Sequence, residues 1–181
     1  MTVPRTLAAA YLADILRTFR TYKKLADGSI AQIGDADLHR LVDPEANSIA
    51  IVMKHVAGNL RSRFTDFLTT DGEKPDRNRD GEFEDAAQSR DAIVADWNAG
   101  WAIALASIEA LTPDDLERTV HIRREPFVVV EALNRSASHT AYHVGQIVLL
   151  AKAFAGSDWT TLTIPKGQSN QVGPGTYKQT R

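Results

Sequence analysis

Apolar residues recur at three- and four-residue steps in four long segments of this chain, and that periodicity restricts it to a helical fold. The first segment covers about residues 3–26, where Leu7, Tyr11, Ile15, Phe19 and Tyr22 share one face. Pro4 suits its first turn and Gly28 its stop. The second, about 48–68, carries Ile49, Met53, Val56, Leu60, Phe64 and Phe67, with Asn47 or Ser48 positioned to cap it. The third, about 89–111, carries Ile93, Val94, Trp97, Trp101, Ala104, Leu105 and Ile108. The fourth, about 127–155, carries Leu133, Val144, Ile147, Leu150, Ala151 and Phe154 and stops at Gly156. Amphipathic helices of roughly 20–28 residues, each with one apolar stripe, predict an all-α four-helix bundle.

The connections qualify that prediction. The link between the first two helices and the link 69–88 are each about 20 residues long, enough for crossovers. Thr112-Pro113-Asp114-Asp115 is a helix-start signal, and Thr119-Val120-His121-Ile122 reads as a brief extended piece, so short extra elements are expected. Residues 1–165 then form one domain. Residues 166–181 form a polar tail, with Trp159, Leu162 and Ile164 pinning the chain just before it. At 181 residues such a domain can bury a core without disulfides or structural zinc.

Charge and composition remove several functions. The 21 Lys+Arg against 23 Asp+Glu leave a formal charge of −2 with no basic stripe, so nucleic acid is not an expected partner. With no cysteine there is no disulfide scaffold, thiolate metal site or cysteine nucleophile. No apolar run reaches the roughly 20 residues of a membrane span. Asp14, Arg17 and Arg20 break up any signal-peptide pattern, so a cytoplasmic location is expected.

Against that background three histidines stand out. His139 and His143 are one turn apart on the fourth helix, and His55 lies on the second. All three fall at the margin of their apolar stripes, where a cleft can admit substrate. If they converge, three neutral imidazoles suit zinc, nickel, copper or iron and leave one position open for chemistry. The plainer alternative is three separately hydrogen-bonded histidines. The intervening Thr140, Ala141 and Tyr142 supply no glutamate, which disfavours a zincin peptidase. His39 and His121 read as surface residues of connecting segments. No acid completes a triad with Ser136, Ser138 or Thr140.

Several neighbours are candidates for a supporting role. Asn59, one turn after His55, could orient it, and Gln146, just beyond His143, could orient a ligand or touch substrate. Trp97 and Trp101 read as core and otherwise as pocket walls. Gly145, inside the fourth helix, would be tolerable if another backbone came close. Asp76-x-Asn78-x-Asp80-Gly81 opens like a calcium loop, but its twelfth position is Ala87 instead of glutamate. The charged loop 71–84 is expected to form local ion pairs and to fold over the site, or else to offer its arginines to an anionic substrate.

The segments Met53-Lys54-His55-Val56-Ala57-Gly58-Asn59-Leu60 and Ser138-His139-Thr140-Ala141-Tyr142-His143-Val144-Gly145-Gln146-Ile147 resemble the DinB/YfiT-like metalloprotein superfamily. Asp71-Gly72-Glu73-Lys74-Pro75-Asp76-Arg77-Asn78-Arg79-Asp80-Gly81-Glu82-Phe83 and the later Ile164-Pro165-Lys166-Gly167-Gln168-Ser169 are similar to a narrower DinB-like bacterial family of uncharacterised function. The resemblance implies a DinB-like four-helix bundle whose second and fourth helices share one divalent metal. It transfers the ligand roles to His55, His139 and His143. It also implies a homodimer. Some relatives are thiol-dependent transferases or isomerases using bacillithiol, mycothiol or glutathione. The superfamily's link to DNA damage concerns induction, not DNA binding, and the narrower family brings no reaction.

The expectation is therefore a metal-binding protein, with zinc or nickel first among the ions. It would act as a metal-dependent thiol S-transferase or a metal-assisted hydrolase on a small-molecule substrate. A low-molecular-weight thiol would come from outside, since the only sulfur here is in Met1 and Met53. No residue is assigned to catalysis. The rival is a non-catalytic, metal-stabilised dimeric binding module.

Overall fold

A computed structural model describes residues 6–84 and 87–171. The described chain is predominantly helical, with helices α1 (Leu7–Ile30), α2 (Asp35–His39), α3 (Ile49–Phe64), α4 (Arg90–Glu109) and α5 (Val129–Ala155). A two-stranded antiparallel hairpin, β1 (Thr119–Ile122) and β2 (Glu125–Val128), precedes α5. The four long helices correspond to the four periodic segments. Local chemistry sets their starts: Thr6, Ser48 and Ser89 accept the backbone N–H groups of Ala9, Ile51 and Ala92 at 3.1, 3.2 and 3.3 Å. The first turn of α5 is closed by Glu131, which accepts the Val128 N–H at 2.8 Å.

Boundaries differ from the sequence reading at the ends of α1 and α3. Residues 1–5, with Pro4, lie outside the described residues. Gly28 does not stop α1, which continues to Ile30. Helix α3 ends at Phe64 because Asp66 turns the chain with φ 49°. The additions include α2, a 3₁₀ turn at Asp80–Phe83 and the second strand of the hairpin. The end of the polar tail, from residue 172, is also outside the described residues.

The core lies where α1, α3, α4 and α5 meet, around the fully buried Phe19, Met53, Leu60, Trp97, Trp101, Leu133 and Ile147. Helices α3 and α4 approach closely at Gly100, where a Cβ would stand 2.7 Å from the Ala57 carbonyl oxygen. Phe19 meets Phe64 and Trp101 edge-on, with centroids 5.8 and 6.2 Å apart. Trp97 donates its indole N–H to Asp27 at 2.8 Å. With 1% and 0% exposure, Trp97 and Trp101 belong to this core and not to a pocket wall. The hairpin buries Val120 and Ile122 against the same core. Among the described residues no helix is long and apolar enough to cross a membrane.

Candidate metal centre

Helix α3 is lined by the charged loop that follows it, and their contacts build the site. The loop leaves the C-terminal end of α3, where Ser62 donates to the Gly72 carbonyl at 2.8 Å and accepts from Lys74 N–H at 3.1 Å. Arg63 also donates to Gly72 O and pairs with Glu73 at 3.1 Å. The loop then runs back along the helix, and Lys54 Nζ holds the Gly81 carbonyl at 2.6 Å. Between these anchors the Glu82 side chain enters against α3 at Gly58. A Cβ on Gly58 would stand 2.8 Å from the Glu82 Cδ, so glycine there is the opening through which the carboxylate reaches His55.

Glu82 Oε2 sits 2.9 Å from His55 Nδ1. Arg77 grips the same carboxylate with both prongs, Nε to Oε1 and Nη2 to Oε2, each at 2.8 Å. Burial by itself would raise the Glu82 pKa. The hydrogen bonds and charges of Arg77 and His55 outweigh it and hold the carboxyl below its ordinary range. Glu82 is therefore ionised and accepts the His55 Nδ1–H, which leaves the His55 Nε2 lone pair facing inward. Phe83 covers that imidazole, with ring centroids 4.6 Å apart.

The helical spacing brings the other two histidines to the same point. His139 and His143 project from adjacent turns of α5, ring centroids 4.6 Å apart. His55 Nε2 is 3.1 Å from His139 Nε2. His143 Nδ1 is 2.9 Å from Gln146 Oε1, so His143 also turns Nε2 inward when that ring nitrogen donates. One nitrogen from each of the three rings lies within 4.8 Å of the others. A tetrahedral set of imidazoles about 2.05 Å from a cation has its nitrogens about 3.3 Å apart. The His55–His139 pair already has nearly that spacing. Without a cation, an Nε2–H of His139 donated to His55 satisfies the 3.1 Å contact.

Electrostatics favour the form that ligates. Burial lowers the pKa of His139, the nearby His143, His55, Arg135 and Arg63 charges lower it further, and it falls to about 3. Burial likewise lowers His143, while its bond to Gln146 opposes part of that shift. Both rings are neutral at pH 7, as metal coordination requires. The cluster could hold a metal ion. A cavity of about 70 Å³ adjoins it, with His55, His139 and Asn59 on its wall.

The sequence candidates thus divide. His55, His139 and His143 come together, and Gln146 bonds His143. Asn59 is buried beside His55 on the cavity wall, but the group that orients His55 is Glu82. His121 is exposed on the hairpin, and His39 bonds the Gln88 carbonyl at 3.0 Å. Gly145 meets no other backbone among the described residues: none of their atoms lies within 4 Å of where its Cβ would be. In the calcium-like loop Asn78 caps the Gly81 N–H at 3.0 Å and Arg77 turns inward onto Glu82. Sequence reasoning missed Glu82 and Arg77. The one available signal was Gly58, a helix-weakening residue three positions after a candidate ligand.

Comparison with known families places residues 6–168 in a family described as "Protein of unknown function (DUF1572)", and the chain belongs to that family. No curated protein matches it.

Proposed function

We propose that this member of an uncharacterised family is a divalent-metal enzyme in which His55, His139 and His143 hold one ion. The long helices would form a DinB-like four-helix bundle, with residues 1–165 as one domain and 166–181 as a polar tail. Transfer of a small-molecule thiol is the first reaction class, and metal-assisted hydrolysis is the second. The single observation that carries the reading is the convergence of three ring nitrogens within 4.8 Å, from two helices, with His55 and His139 84 residues apart in sequence. When bound, such an ion would supply Lewis-acid activation of a thiol or water at neutral pH.

The chain's own residues are suited to support that chemistry. Glu82 and Gln146 bond the outer nitrogens of His55 and His143, which orients both rings and fixes their tautomers. Arg77 keeps Glu82 charged, so the His55 ring remains a strong donor of electron density. Phe83 packs against the His55 ring. Three ligands with no fourth among the described residues favour a reactive centre over a sealed structural one.

The cavity beside the histidines favours catalysis over the rival reading, a metal-stabilised dimeric binding module. Zinc and nickel stand first among the ions we propose, and an all-imidazole set also accepts copper and iron. The decisive experiment is elemental analysis of untagged protein never exposed to a nickel column. His55→Ala, His139→Ala and His143→Ala are run alongside, followed by a panel of thiols with an electrophilic acceptor. Near-equal metal content in the wild type and all three variants would refute the site. Full occupancy with no turnover on any thiol or hydrolysable substrate would favour the binding module. Sedimentation tests the expected homodimer.

A further inference from the structure

We propose that the cavity beside the three histidines is an anion site, which binds the carboxylate or phosphate of a small substrate and turns the rest of that molecule toward His139. The proposal deepens the reading of the histidines as a reactive centre and rests on it for the word substrate. Its physical basis is separate. Five arginines, Arg63, Arg77, Arg79, Arg123 and Arg135, stand on the cavity wall, and among the described residues no carboxylate does. They come from α3, the charged loop, the hairpin turn and α5, so the fold gathers them from four places.

Their partners do not neutralise them. Arg77 is taken up by Glu82, and Arg63 and Arg123 share Glu73, each at 3.1 Å. Asp71 adds a nearby negative charge, but its oxygens accept the backbone N–H groups of Arg123 and Arg124 at 2.9 and 2.7 Å. Arg79 and Arg135 are exposed and form no ion pair with the described residues. Positive charge is therefore in surplus even with Asp71 counted. Grouping like charges costs energy unless something of opposite sign visits, and the planar guanidinium fork matches an oxyanion. Ser136 adds a neutral donor: it is on the same wall, 7% exposed, and its buried hydroxyl has no hydrogen-bond partner among the described residues.

Size and placement agree. A cavity of about 70 Å³ is several times the roughly 10–15 Å³ that one water needs, and has room for one oxyanion group. His55 and His139 are on its wall, so an anion held by Arg135 and Arg79 carries its attached atoms past the histidine nitrogens.

The test titrates inorganic phosphate and, separately, succinate into the full chain, metal-free and zinc-loaded. Binding is read by calorimetry and by the side-chain N–H resonances of arginine. Arg135→Gln and Arg79→Gln keep exposed polar side chains, and their melting curves establish that they fold. We expect at least one probe to saturate, and each variant to weaken it by about tenfold or more, the loss of a charge-assisted bond. Preference for phosphate or for succinate identifies the anion class. Absence of saturable binding by either probe, or wild-type affinity in both folded variants, overturns the proposal. His139→Ala separates the two readings: anion binding that survives in a variant without metal belongs to the arginines alone. Full metal content in that variant would sink the histidine reading and leave the anion result standing.

Discussion

The imidazole of His55 and the carboxylate of Glu82 are 2.9 Å apart across 27 residues of chain, with side chains 3% and 8% exposed. A loop of mostly charged residues thus contributes a buried part of the site. A carboxylate on the far nitrogen of a ligating histidine fixes the tautomer and raises the basicity of the near one.

Glu82→Gln should therefore weaken metal binding about 10–100-fold while the three histidines stay in place. The amide keeps the shape but loses the charge that polarises the imidazole, and its NH₂ would face Arg77. Competition with a chromophoric chelator measures the change. Equal affinity in the variant and the wild type would remove Glu82 from the site's chemistry.

Arg77 is the other half of that arrangement, with a side chain 4% exposed. Arg77→Met fills similar space but leaves the Glu82 charge buried with a single partner. Removing one member of a buried pair costs about 3–5 kcal/mol. Urea unfolding of the metal-free protein should show a loss of that order. A loss below about 1 kcal/mol would mean that water replaces the guanidinium.

Two helical glycines should respond to alanine with opposite signs. Among the described residues Gly145 has open space around its missing Cβ, so Gly145→Ala should stabilise by about 0.5–1 kcal/mol through helix propensity alone. Gly58→Ala adds a methyl group where Glu82 enters, and should destabilise by about 1–3 kcal/mol and weaken metal binding as well. Denaturant midpoints of the pair decide the point, and a shared sign would contradict the geometry.

That contrast also shows what the sequence could reveal. The four long helices were legible because an apolar stripe repeats every three to four residues, and Ser48 and Ser89 mark two of their starts. The histidine cluster was legible because a one-turn spacing on one helix needs only one facing partner. Glu82 was not, because its role depends on how a loop without periodicity lies along α3. The second strand was hidden for a different reason. Its run Glu125-Pro126-Phe127-Val128 contains proline, and the turn is made by Arg123 and Arg124 at φ 55° and 66° where Asn-Gly would be the usual signal. Asp71 supports that strained turn by accepting both of its N–H groups, a contact between segments about 50 residues apart.

The pH dependence of stability follows from the two lowered histidines. An unfolded histidine takes up a proton near pH 6.5, whereas folded His139 resists until about 3 and His143 is shifted in the same direction. Above 6.5 both states are neutral at these rings, and the contribution is constant. Below 6.5 the unfolded chain binds protons that the folded chain refuses, so stability falls as pH drops toward 3. The lowered carboxyls Glu73 and Glu82 add their own losses only near and below their unfolded values of about 4.3. The window from 6.5 to about 5 therefore isolates the histidines. Melting temperatures of the chelator-treated protein should fall across that window, and less steeply in His139→Gln. The same burial moves metal loss downward: ordinary imidazoles would release their ion below roughly pH 6, but proton competition at His139 begins lower. Parallel slopes for wild type and His139→Gln would show that the folded ring titrates as it does in water.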